Sequence, residues 1–162
     1  MKRLTVSAQT CVEILGTLAA MAWADGRLDD TEKEGMRAAA RVLNLPKEER
    51  DRLEQLLASP PPVDQILFER LSLPIDRAFA YVAAAWMAGA DSDLAEKEKG
   101  LLERIAAQLH LPEGRAEQLR DLAKDLSHPE AKDRSDELVR LFKSIPPRLL
   151  EDPEDDLEVV FE

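Results

Sequence analysis

Four acidic residues stand at spacings that carry chemistry. Asp25 and Glu32 are seven apart in Ala24-Asp25-Gly26-Arg27-Leu28-Asp29-Asp30-Thr31-Glu32, and Asp91 and Glu98 are seven apart in Ala90-Asp91-Ser92-Asp93-Leu94-Ala95-Glu96-Lys97-Glu98. Hard cations such as calcium and magnesium take several oxygen ligands, and carboxylates in turns supply them. Two such loops brought together make a candidate site for a divalent metal (calcium, magnesium or zinc), with Asp25, Glu32, Asp91 and Glu98 as its ligands. The competing reading is structural. An Asp at a helix start ties down turn amides, and Asp29-x-x-Glu32 has the spacing of a capping box. The second copy favours the cation: Ala95 stands where Asp29 would be and cannot cap, yet Asp91, Asp93 and Glu98 persist.

The loops are not EF-hands. With Asp25 as the first position, the glycine required at the sixth would be Asp30 and the glutamate required at the twelfth would be Met36; the second copy has Glu96 and Leu102 there. Groups for catalysis are missing. His110 and His128 are the only histidines, and neither has a Cys or His at ligand spacing. No glycine-rich phosphate loop, nucleophile elbow or Cys–His pair is present. The expectation is a protein that is not an enzyme.

The two acidic loops belong to an ungapped internal repeat. Asp25, Leu28 and Glu32 recur 66 residues later as Asp91, Leu94 and Glu98, and each copy runs on to Leu-x-Leu-Pro, at 43–46 and 109–112. Apolar periodicity predicts helices over 5–24, 30–43 and 46–58, and a short one near 63–71. It then predicts 74–90, a helix ending near 109, 112–126 and 135–144. The helices at 5–24 and 74–90 are apolar nearly all round, so they belong inside a bundle. The expected fold is all-α: seven to eight helices in a pseudo-twofold bundle of two three-helix units, plus a C-terminal helix and an acidic tail. One domain is expected over 1–145, with halves at about 5–58 and 71–126 and a tail at 146–162. Pro146-Pro147 is expected to end regular structure.

Composition agrees. Hydrophobic residues make up 44% of 162 positions but aromatics only 4%, with alanine and leucine dominant, which favours packed helices over sheet. Of the net charge of −11, seven acids lie in Glu151–Glu162, so the preceding 150 residues carry 26 acids against 22 bases. No basic stripe is present to displace counterions from nucleic acid, and an anionic membrane surface would repel the chain. The single Cys11 forms no internal disulfide and reads as a buried small hydrophobe.

Lys2, Arg3 and a run ending in Ala22-Trp23-Ala24 imitate a signal peptide. Gln9 and Glu13 interrupt that run, and the same helix-plus-loop recurs at 78–91, so the segment is assigned to the fold. No uncharged run approaches the roughly 20 residues that span a bilayer. The chain therefore reads as soluble and cytoplasmic. The segment Leu157–Phe161 reads either as an extended peptide that docks on a partner or as part of a solubilising tail.

At Ala24-Asp25-Gly26-x-Leu28-x-x-x-Glu32 the sequence resembles the TerB-like family, which comprises the tellurite-resistance TerB group and related domains of DnaJ-type membrane co-chaperones. The resemblance covers about residues 5–126, and its second copy departs from the pattern with Ser92 in place of the glycine. It implies an all-helical fold with two pseudo-symmetric halves and a divalent metal on the acidic loops, carried over to Asp25, Glu32, Asp91 and Glu98. It also implies a part in tellurite and other stress responses, phage defence or membrane-linked assemblies. The expected function is thus a non-enzymatic, metal-binding interaction or sensor module with a protein partner. The alternative is a metal-free adaptor whose loops only cap helices and whose tail or surface groove recruits the partner.

Overall fold

A computed structural model describes residues 3–24, 28–58, 62–88, 96–126, 132–149 and 158–161. Among these residues seven α-helices dominate. In chain order the elements are β1 (Arg3–Val6), α1 (Ala8–Ala24), α2 (Asp30–Val42), α3 (Lys47–Ala58), α4 (Pro74–Met87), α5 (Glu96–Gln108), α6 (Glu113–Lys124), α7 (Arg134–Arg148) and β2 (Glu158–Phe161). Two 3-10 turns, Pro62–Gln65 and Phe68–Arg70, connect α3 to α4. The all-α expectation holds. No described helix is long and apolar enough to cross a membrane.

The repeat is written into the helix starts. α1 and α4 begin at 8 and 74, α2 and α5 at 30 and 96, α3 and α6 at 47 and 113, each pair 66 apart. The repeated Leu-x-Leu-Pro is a helix stop. Asn44 and His110 both adopt left-handed backbone, with φ of 61° and 58°. The amide of Leu45 then donates to Ala40 O, and that of Leu111 to Ala106 O, at 3.0 Å each. This is a Schellman closure, in which the following leucine returns to the core. Leu45 is buried and Leu111 partly so. Pro46 and Pro112 then start the next helices, where a missing amide donor costs nothing.

α1 and α4 lie together at the centre. Every residue from Thr10 to Ala22 is buried, as is every residue from Ala78 to Ala85. α1 packs on α3, α4 on α6, and α1 on α4. Gly16 allows the first of these, because a Cβ there would sit 2.7 Å from Leu56 Cδ1. Thr10 and Asp76 occupy equivalent positions, and the Thr10 hydroxyl donates to Asp76 Oδ2 at 3.4 Å. The pseudo-twofold axis therefore passes beside the first turns of the two central helices.

The structure corrects four expectations. Residues 5–6 belong to a strand, not to the first helix: Leu4-Thr5-Val6 suits an extended chain, and Ser7 Oγ caps α1 by accepting from the Thr10 amide at 3.1 Å. The short helix near 63–71 is a pair of 3-10 turns, and Leu67 between them is exposed. α7 does not stop at Ser144 but runs through Pro146 and Pro147 to Arg148. The two prolines withhold donors from the last turn only, and the burial of Ile145 and Pro146 outweighs that loss. The C-terminal segment is also not wholly a tail. Glu158–Phe161 pairs in parallel with Arg3–Val6.

α7 breaks the twofold symmetry. It lies mainly on α2, with a further contact to α4, where Phe142 meets Phe79 edge to face at 5.1 Å.

Candidate functional site

The first acidic loop leads into α2, whose N-cap is Asp29. Asp29 Oδ1 accepts from the Glu32 amide at 2.9 Å, so half of the expected capping box is present. The other half is not. Instead of turning back to Asp29, Glu32 accepts at Oε1 from Arg134 Nη2 at 2.9 Å. Its second oxygen, Oε2, is buried without a hydrogen-bond partner among the described residues.

Arg134 is the first residue of α7, beyond the N-cap Asp133. Its Nη1 donates to Glu137 Oε1 at 2.6 Å, and its guanidinium carbon lies 5.7 Å from the centroid of the Trp86 ring. One cation thus meets the start of α2 and the end of α4. Those helix ends flank the two acidic loops. The approach depends on Gly35, one turn after Glu32, where a Cβ would lie 2.7 Å from Arg134 Cγ and 3.0 Å from its Cβ. The residue at the equivalent place in the second half is Leu101.

Glu98, the counterpart of Glu32, is buried in the first turn of α5. Asp25 and Asp91 lie outside the described residues, as does Asp93. Among the described residues no group of three or more His, Cys, Asp or Glu side chains gathers in a metal-holding arrangement. Two observations bear on whether a cation fits. The donors at hand are carboxylate oxygens, which suit calcium or magnesium better than zinc, and one buried oxygen of Glu32 is open. Against these stands Arg134, which already supplies positive charge to the other oxygen.

A second cluster escaped the sequence reading, in which Glu13 only interrupted an apolar run. Glu13 is completely buried in α1. Its carboxylate accepts from Arg52 Nη2 at 3.1 Å, Arg70 Nη1 at 2.7 Å and the Leu67 amide at 2.8 Å. Arg70 continues to Glu49 at 3.1 Å, and Arg52 also donates to the Gln65 carbonyl. This network ties α1 to α3 and to both 3-10 turns. A charge inside an apolar helix must be paired there, and that rule is the signal by which the sequence marks Glu13. The equivalent residue in the second half is Phe79, which packs on α7. An ionic cluster in one half therefore stands where an aromatic pair stands in the other.

Burial pushes the Cys11 thiol up to about 12, with Asp76 adding to the effect, so this cysteine is no nucleophile. Burial also raises the Asp76 carboxyl above its ordinary value, partly offset by the Thr10 hydrogen bond. His110 is exposed and serves its turn. Of the two tryptophans, Trp86 is half-buried under Arg134, while Trp23 is exposed.

No curated protein and no solved structure matches the chain. A family profile does match, over residues 3–123, from β1 through nearly all of α6. With three quarters of its length covered, and with the repeat and acidic loops inside that span, the chain belongs to the DUF533 family of proteins of unknown function, a TerB-like family.

Proposed function

We propose that the chain is a non-enzymatic TerB-like module that binds a divalent cation between its two acidic loops and serves as an interaction or sensor unit in a stress response of the tellurite type. Asp25, Glu32, Asp91 and Glu98 would hold the cation. The observation that carries this reading is Glu32 itself. Its Oε2 is buried without a partner among the described residues, at a point where one guanidinium bridges the start of α2 and the end of α4. A buried oxygen left unpaired costs about 1–3 kcal/mol, which a cation would recover. Bound there, it would join the halves and stabilise the fold by mass action.

The test is thermal unfolding in calcium, magnesium, zinc and EDTA, with native mass spectrometry of the same samples. A rise in Tm with one metal, matched by its mass and absent in EDTA, is expected. Unchanged melting in all four conditions with no bound metal sinks the reading. The Asp25→Asn, Asp91→Asn double variant is expected to lose the metal while keeping the stability of the metal-free wild type.

A second reading has its own support. Asp29 does cap α2, and β2 is seated on β1 as a peptide would be. On that reading the chain is a metal-free adaptor in a cytoplasmic assembly with a protein partner, and the double variant would simply be less stable.

A further inference from the structure

β1 is a four-residue strand whose only partner strand among the described residues comes from the far end of the chain. The register is parallel: Arg3 faces Glu158, Leu4 faces Val159, Thr5 faces Val160 and Val6 faces Phe161. Val6 is buried, and Val159 and Phe161 pack against the core. Such a pairing is weak by construction. Parallel ladders are slightly less stable per residue than antiparallel ones, and two strands alone need outside support. Here that support comes from the core side and from α7.

The occupant is also separable from the site. The family profile includes β1 and stops at residue 123, before α7 and β2. The strand edge therefore lies within the family match, and the segment that covers it lies outside. Eight residues, 150–157, link Leu149 to Glu158, and five of them are acidic. A tether of this length holds β2 at an effective concentration on the order of millimolar, which is enough to keep a weak ligand in place.

We propose that β1 is an acceptor strand for an extended segment of a partner protein, and that β2 is its tethered, displaceable occupant. The seated tail states the chemistry the partner must have. An aliphatic residue stands opposite Leu4 and an aromatic one opposite Val6, both packed against the core, in a segment running parallel to β1. Main-chain pairing supplies affinity, and the alternate inward side chains supply selectivity. The inference needs no metal.

The probe is a fluorescein-labelled peptide of the sequence Leu157 to Glu162, read by anisotropy against the full chain and against a full-length Val159→Glu, Phe161→Glu variant. The variant is expected to bind the peptide, and the wild type to bind it at least about tenfold more weakly, because its own tail competes. A peptide carrying the same two glutamates should bind neither. A variant that fails to bind, or equal binding by both proteins, overturns the proposal. Hydrogen exchange on the wild type covers the case in which the variant misfolds. Saturating peptide should speed exchange at 158–161, and unchanged protection there overturns the proposal as well. Dimerisation of the wild type with rising concentration, lost in the variant, would assign β1 to a second copy and also overturn it.

Discussion

A carboxylate in the middle of an apolar helix is tolerated only if its charge and its lone pairs are met. Glu13 meets both conditions with two arginines and a backbone amide, and its pairing is what fixes the irregular connector between the halves. Glu13→Gln would take the shared counter-charge from Arg52 and Arg70 and leave Arg70 with Glu49 alone. A loss of about 3 kcal/mol in urea unfolding is expected. A loss below about 1 kcal/mol would mean that the arginines simply turn to solvent, from which they are not fully shielded. Asp76 behaves in the opposite sense. Its folded carboxyl is raised by burial, so the fold favours the protonated form. The stability this contributes is complete below the unfolded carboxyl's range and is lost as pH rises through the folded value. Asp76→Asn removes the titration. The variant should match the wild type near pH 3 and gain on it towards pH 7 in paired thermal melts. A difference that does not change with pH would rule out Asp76 as the cause.

At the scale of elements, the helices obey the sequence closely and their partners do not. The starts of α2, α3, α4 and α6 follow from capping, proline and periodicity, which are local rules that need no knowledge of the fold, whereas α1 starts later than its periodicity implies. The left-handed Asn44 and His110 are equally local, since both types tolerate that backbone and both precede a leucine that closes the turn. What the sequence hides is long-range: Arg134 reaching Glu32 over 102 positions, and β2 reaching β1 across almost the whole chain. Charged residues on exposed helix faces look alike in sequence, and only packing selects Arg134 among them. The candidate site was legible to the same extent. Glu32 falls in the first turn of α2 as its capping spacing implies, whereas Glu98, read as the end of the second loop, lies in the first turn of α5, and the guanidinium on Glu32 gave no signal. Gly35 supplies a clean test of that packing. Gly35→Ala should gain about 1 kcal/mol of helix propensity and lose about 1–3 kcal/mol by overpacking against Arg134, for a net loss. Gly100→Ala on α5 meets nothing within 4 Å and should stabilise by up to about 1 kcal/mol. Equal effects at the two sites in guanidinium unfolding would dismiss the close approach of α7.

For the whole molecule, symmetry gives the core and its breaking gives the candidate function. α1 and α4 with their partners form one pseudo-twofold body. The first half is sealed by the Glu13 cluster and the second by Phe79 against α7. α7 lies outside the family match yet sits on α2, with Arg134 as its cation on Glu32. Charge on that guanidinium and charge on a divalent cation at Glu32 would be only a few ångströms apart. A divalent and a univalent charge at about 5 Å repel by roughly 2 kcal/mol in bulk water and by roughly 7 kcal/mol at an effective dielectric of 20, which is at least about tenfold in affinity. α7 docking and cation binding are thus expected to oppose each other. Arg134→Gln should loosen α7, raising hydrogen exchange along 134–148 while α3 and α6 keep their protection. In the same variant any calcium or magnesium affinity measured by calorimetry should rise by at least about tenfold, since the competing charge is gone. If exchange rises evenly through every helix, α7 is part of one global unit and Arg134 is a stability contact only. If α7 alone loosens and metal affinity falls, the guanidinium positions Glu32 for the cation instead of competing with it, and the sense of the coupling is reversed.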